Sequence, residues 1–412
     1  MGAFNLIVDP FDLYRIVDRA GLNHNKPEKY VRVRLLKLFE LERVKPGVVA
    51  LGTSRTHLGI RMTHPGWNPA FAPGYNLAFD SATTHEIYAY LRDAQAVRPL
   101  RQVVLGLDTW QLTNDPSGVI PGFEDAFLDR PDSAWRNVAS HIARLGAAFS
   151  LDTLLASFHT LGRQFPSEPD SFAPDGQRLG EVLFRSGGKK NPRGDPGAEF
   201  ALVDRREIMS ALKIQPAAQV RAGGGARPDL SSMAYVREIV AFCRANAIEL
   251  FIFITPMHAD QMEIRTLLGE WTKIEASKRM LVQILAEDSA AHPGAKPIPL
   301  WDFTGYNSVT TEPVPPPGSQ RQMAYYWDSS HFKEAVGDWI LDRLFGIPAD
   351  VPADFGIALT PESIDGALAQ IRADRAIYLR EHKGDAVRIR ALAEEIYRSH
   401  PRTPRREAST PN

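Results

Sequence analysis

The side chains best suited to chemistry lie in two short stretches, "GTSR" at 52–55 and "WDSSH" at 327–331. Ser54 becomes a nucleophile if a base takes its proton, and a histidine serves as that base when a third group fixes its tautomer. Asp328 and His331, three residues apart, supply an acid and an imidazole from one turn. Each stretch also has a plain structural reading. Ser54 suits the N-cap of a helix, and so does Asp328, which would leave His331 as a surface residue.

The elements that must position these groups are legible as alternating strands and helices. Five short apolar runs read as strands: "GVVALG" 47–52, "YNLAF" 75–79, "QVVLGLD" 102–108, "IELFIFIT" 248–255 and "PIPLWDF" 297–303. Ile87, Leu91 and Ala94 stripe a helix over 83–96, and Met233, Val236, Val240 and Cys243 stripe another over 231–246. A long helix is expected from Ala259 to Glu287, and Phe332, Val336, Trp339 and Ile340 stripe a last one. This alternation predicts an α/β fold with a five-stranded parallel sheet, which binds ligands at the carboxyl ends of its strands. Gly52 permits a tight turn out of the first strand, so Ser54 and the Asp328–His331 pair are expected at one rim, near a helix N-terminus that stabilises negative charge.

Residues 110–230 interrupt the alternation with one or two helices in 134–163 and Gly/Pro-rich stretches such as "SGGKKNPRGDPG". A loop that long without structure is improbable, so an inserted subdomain or lid over the strand ends is expected. The resulting organisation is a lead-in segment at 1–46, an α/β domain at 47–346 carrying the insertion, and a C-terminal helical extension at 347–412 ending in a disordered tail.

The two stretches, with the strand pattern between them, resemble the SGNH or GDSL-type hydrolases. The resemblance runs from about Gly47 to Gly346, insertion excepted. It implies a flavodoxin-like three-layer α/β/α fold in which Ser54 is the nucleophile and Asp328 and His331 are the acid and base. The family's middle blocks depart from this sequence. Its oxyanion glycine is replaced by "YNLAFDSATT", where the backbone N–H of Ser81 is the nearest candidate, and its Gly-x-Asn block reads Gly106 and Asp108. An ionised carboxylate cannot donate to an oxyanion, so Asp108 is expected to bind substrate hydroxyls, stay protonated or orient Arg55. With "VDPFDLYR", "GLNHNKP", "ITPMH" and "LWDFTGYNS", the pattern is closest to the alginate O-acetyltransferase-like proteins of bacterial envelope polysaccharide modification. That resemblance implies an acylated carbohydrate or polysaccharide substrate, a membrane-bound acyl donor protein as a further partner, and a periplasmic or envelope domain anchored upstream of Met1.

Other polar residues near the expected rim have two readings each. Arg55 suits an oxyanion, a substrate carboxylate or a surface ion pair, and His57 and His258 suit either ligand contact or an ordinary helix or loop position. Asp302 and Asn307 suit sugar binding or an Asx turn, and Trp110 suits a sugar face or lid packing. Composition narrows the partners. In 412 residues, 48 basic side chains stand against 49 acidic ones, so no global field attracts nucleic acid. The single Cys243 excludes an intrachain disulfide and a Cys-rich zinc site. No phosphate-binding loop or H-E-x-x-H is present, so neither a cofactor nor a metal is expected, and "GTSRT" lacks the second glycine of the G-x-S-x-G elbow.

Overall fold

The computed structural model describes residues 1–113, 146, 148–165, 169–185, 194–211, 231–319 and 321–400. The expected helices in 134–163 fall partly outside these residues; within them a helix runs over Leu151–Gly162, capped by the Ser150 hydroxyl on Thr153 N–H.

The fold is α/β, built on a mostly parallel sheet of six strands rather than five: β1 Val48–Leu51, β2 Gly74–Asn76, β3 Gln102–Leu107, β4 Glu249–Ile254, β5 Leu300–Asp302 and β6 Ile357–Ala358. Their order is β2-β1-β3-β4-β5-β6. The first five pair in parallel and β6 adds an antiparallel edge to β5. A two-residue strand carries no periodic signal, which is why the sequence does not announce it. β6 lies beyond the expected 47–346 limit, so the sheet itself extends into the C-terminal region.

Alternate residues of the strands face opposite sides, and both sides are apolar. Val49, Leu51, Val103, Leu105, Leu250, Ile252 and Leu300 join one core with residues of the Thr84–Val97, Ser232–Ala245 and Trp271–Ala291 helices. Val48, Ala50, Val104, Phe251 and Phe253 join a second core with Val336, Ile340 and Leu344 of the Glu334–Phe345 helix. Burial on both faces explains why these strands read as continuous apolar runs.

The expected helix from Ala259 to Glu287 is two helices, Ala259–Leu267 and Trp271–Ala291. Gly269 adopts φ +75, and its N–H bonds Thr266 O while Glu270 N–H bonds Arg265 O, closing off the first helix. Among the described residues no helix is long and apolar enough to cross a membrane.

One close approach bears directly on the site. A Cβ on Gly337 would lie 1.8 Å from Gly59 O, and one on Gly59 would lie 2.0 Å from the Phe332 ring. Glycine at 337 lets the Glu334–Phe345 helix rest against the Gly59 carbonyl, and glycine at 59 leaves room for the Phe332 ring. Gly337→Ala is therefore expected to push the helices apart, lowering stability by ~1–3 kcal/mol and reducing any activity that needs Ser54 against His331. Denaturant unfolding and ester turnover of the variant check this.

Candidate functional site

The parallel strands end at one rim, and three adjacent strands deliver polar residues there. Thr53 and Ser54 follow β1, Asp108 follows β3 and Thr255 follows β4. β1 and β3 are neighbours although β2 lies between them in sequence, so the chain reverses direction across the sheet at this point. That reversal opens the crevice in which open α/β sheets place ligands.

The helix after β1 starts at Ser54, and its N-cap is Thr53, whose hydroxyl accepts from Arg55 N–H at 3.4 Å. Capping is thus done by the preceding residue, and the Ser54 hydroxyl is left for another partner. That partner is His331: Ser54 Oγ lies 2.9 Å from Nε2. On the other side of the ring, Nδ1 lies 2.8 Å from Asp328 Oδ2 and 3.0 Å from Oδ1. With Nδ1–H donating to the carboxylate, Nε2 is the free base facing the hydroxyl.

Asp328 and His331 do not stand at a helix start as expected. They lie in a tight loop closed by a bridge between Tyr326 and Phe332, in which Trp327 N–H bonds His331 O at 2.8 Å and Lys333 N–H bonds Tyr325 O at 2.8 Å. The helix begins later, at Glu334. Within the loop Asp328 Oδ1 accepts the N–H of Ser330 at 2.7 Å and of His331 at 2.8 Å, so the acid shapes the turn that presents its own base. Asp328 is buried, while Ser54 and His331 are partly exposed.

Burial pushes the Asp328 carboxyl up, but the His331 charge and hydrogen bond and the two loop N–H groups outweigh it and hold the group below its ordinary value. Burial pushes the His331 imidazole down, and the Asp328 charge and hydrogen bond, helped by Asp80, outweigh that and raise it.

Asp108 is a buried hub. Its Oδ2 accepts from Thr53 Oγ1 at 2.7 Å and Trp110 Nε1 at 3.0 Å, its Oδ1 accepts from Thr255 Oγ1 at 2.6 Å, and the Arg55 guanidinium lies 3.6 Å away. Of the expected roles, the geometry matches orientation of Arg55. Arg55 itself is buried, not the surface arginine of the alternative reading. It donates to Ser330 O at 2.9 Å, Ser330 Oγ at 3.0 Å and Thr255 Oγ1 at 3.3 Å, tying the Ser54 helix to the loop that carries His331. Trp110 is half-buried and committed to Asp108.

Ser81 is exposed and adopts φ +54, the left-handed backbone that favours glycine. Gly106 lies inside β3, where a Cβ would come within 2.2 Å of Thr56 Oγ1. Glycine there allows close packing beneath the Ser54 helix.

Four other polar residues take the structural alternative of their two readings. His258 is buried as the N-cap of the Ala259–Leu267 helix, with Nδ1 accepting Asp260 N–H at 3.2 Å and Nε2 donating to Glu312 O at 2.8 Å. Asn307 makes the Asx turn, its Oδ1 accepting the N–H of Val309 and Thr310. Asp302 also makes an Asx turn, its Oδ1 accepting Thr304 N–H at 2.9 Å, and it pairs with Lys278 Nζ at 2.6 Å inside the protein. His57 is also fully buried, its Nε2 donating to Gly176 O at 3.2 Å. Burial, with the Lys37 and Arg178 charges, holds it well below the ordinary value and so neutral.

Gly176 belongs to the inserted region, whose described residues 169–185 lie against the site. The Gln177 amide donates to Leu58 O at 2.9 Å, Arg178 pairs with Asp80 at 3.0 Å, and buried Lys37 donates to Gly176 O at 2.5 Å. Phe184 stacks on Trp327, centroids 5.5 Å apart, and stands 6.2 Å from the His331 ring. Phe184, Thr53, Thr255 and Ser330 are site residues that sequence reasoning missed; Thr53 and Ser330 had a local signal, lying inside "GTSR" and "WDSSH". A separate cavity of about 530 Å³, lined by Ile208, Ile264, Leu267 and Tyr397 among others, contains none of these residues. No family model matches the chain, and no curated protein matches it.

Proposed function

We propose that the protein is a serine-dependent acyl-transfer enzyme, a carbohydrate esterase or O-acyltransferase acting on cell-envelope polysaccharide. The observation that carries this reading is the continuous hydrogen-bonded run from Ser54 Oγ through both nitrogens of His331 to Asp328, with Ser54 and His331 partly exposed and the carboxylate buried. Nucleophile, base and orienting acid are the three parts that acyl transfer through serine requires.

In the proposed reaction Ser54 Oγ attacks the ester carbonyl as His331 Nε2 takes its proton. The imidazolium, stabilised by Asp328, returns the proton to the leaving oxygen, leaving an acyl group on Ser54. Water or a sugar hydroxyl then attacks that acyl group while giving its proton to His331, and Ser54 is regenerated when the proton passes back to its oxygen. Developing oxyanion charge is met by the N–H of Ser54, which as the first residue of its helix has no intrahelical partner, and by the N–H of Ser81. Arg55 and Asp108 act by holding the Ser54 helix against the 326–332 loop. The Phe184 ring beside the base suits the apolar face of a sugar acceptor.

The strand order and the serine after β1 also support the finer reading of the fold, the flavodoxin-like three-layer α/β/α arrangement of the resembled hydrolases. An envelope or periplasmic setting, and an acyl donor protein at the membrane, belong to the same proposal. A second reading, a scaffold or carbohydrate-binding protein without catalysis, is favoured by one observation: a carboxylate, Asp108, stands where the resembled family has a neutral oxyanion donor.

A serine-reactive alkyl phosphonate separates the two. The expected result is a single adduct on Ser54, formed at a rate that rises with pH as His331 loses its proton. Because the fold raises that imidazole, the half-maximal pH should lie above the ordinary histidine value, and Asp328→Asn should lower it. Labelling elsewhere only, or a rate independent of pH, would favour the scaffold.

A further inference from the structure

The C-terminal Lys383–Ser399 helix lies against the Ala259–Leu267 helix and the Pro196–Ala211 helix of the inserted region. Where they meet, Asp204 and Asp260 are both fully buried. Arg388 faces both carboxylates, donating to Asp260 Oδ2 and, at 3.4 Å, to Asp204 Oδ2. Two carboxylates so close repel, and burial together with Asp260 pushes the Asp204 carboxyl well above its usual range. The cation is what makes the pair tolerable.

From this pair the contacts lead to the site. The Gln261 amide lies 3.4 Å from Asp204 Oδ1 and donates to Ser329 Oγ at 2.9 Å. Asp260 N–H donates to His258 Nδ1, and His258 N–H donates to Ser329 O at 3.2 Å. Ser329 is fully buried and sits between Asp328 and His331, and its hydroxyl and carbonyl are held from the far side of the loop. Arg55 holds the neighbouring Ser330 from the near side.

We propose that Arg388 is a positioning residue for the acid–base loop: its guanidinium holds Asp204 and Asp260, which through Gln261, His258 and Ser329 fix the backbone that sets Asp328 against His331. The role of the loop rests on the acyl-transfer reading above, while the mechanical link stands on the contacts alone. It gives the C-terminal helix a part in the site although none of its residues touches Ser54, His331 or Asp328 in the contacts described.

The test is Arg388→Met in the full chain, with small-ester turnover normalised to active sites titrated by the phosphonate. Loosening of the loop should lower kcat per titrated site by ~10- to 100-fold, the scale of a catalytic group misplaced by about 1 Å, with KM unchanged. The His331 titration midpoint should fall towards the ordinary histidine value, and Asp260→Asn in the same background should recover both. If Arg388→Met does not fold, Arg388→Lys, which keeps the charge and loses the fork, should show the same changes in smaller measure. Unchanged kcat per site together with an unchanged His331 midpoint would overturn the proposal. NMR titration of His331 in Ser54→Ala protein, with and without the Arg388 change, reads the link without turnover. An inert wild type would therefore defeat the enzyme reading, while a shifted or unshifted His331 midpoint would still support or overturn the positioning role of Arg388.

Discussion

Ser54→Ala is expected to abolish ester turnover while leaving the fold intact. His331 Nε2 faces the Ser54 hydroxyl at 2.9 Å, so removing that oxygen removes both the attacking atom and the proton that the base is placed to take. Loss of one member of a serine relay lowers the rate by roughly 10⁴- to 10⁶-fold, because the members act as a unit. The stability change should stay within about 0.5 kcal/mol, the usual range for a partly exposed residue that caps no helix. The cap is Thr53, so the substitution leaves the helix start untouched. Stopped assays with a small acetyl ester, paired with urea unfolding, read both quantities. Retained turnover, or a stability loss that accounts for the inactivity, would remove Ser54 from the mechanism.

The second large effect is expected at Asp108, and it is structural. Asp108→Ala would leave Thr53, Thr255 and Trp110 without their acceptor and Arg55 without the carboxylate 3.6 Å away. Both side chains of that ion pair are almost fully buried, and breaking such a pair by deleting one partner costs ~3–5 kcal/mol. The Asn variant retains one acceptor oxygen and the shape, so it should lose less stability and should not gain activity. The urea midpoint and kcat of both variants decide the matter. A clear rise in kcat for Asp108→Asn at unchanged stability would show instead that this side chain faces the developing oxyanion.

The strands were readable in the sequence because both faces of the sheet are buried, which turns "GVVALG" and "IELFIFIT" into unbroken apolar runs. Ser54 was readable because the end of a strand has a known address in a parallel sheet, and Asp328 and His331 because of their spacing and the resemblance it carries. What stayed hidden was set by partners distant in sequence. His258 looks like a rim histidine until Glu312 O takes its Nε2, and Asp302 looks free until Lys278 reaches it. Serine is the better N-cap of the two, so only the geometry assigns the cap to Thr53 and frees Ser54. The break at Gly269 had a glycine to announce it, whereas β6 had two residues and no pattern.

The most direct measurement of the central claim is peptide mass spectrometry of the protein quenched in acid during turnover of an activated acetyl ester. If Ser54 carries the acyl group, the acetyl mark should sit on the peptide containing Ser54, accumulate in Asp328→Asn protein relative to wild type, and vanish in Ser54→Ala. An acetyl mark found only on other residues, or one on the Ser54 peptide that persists in the Ser54→Ala variant, would contradict the account.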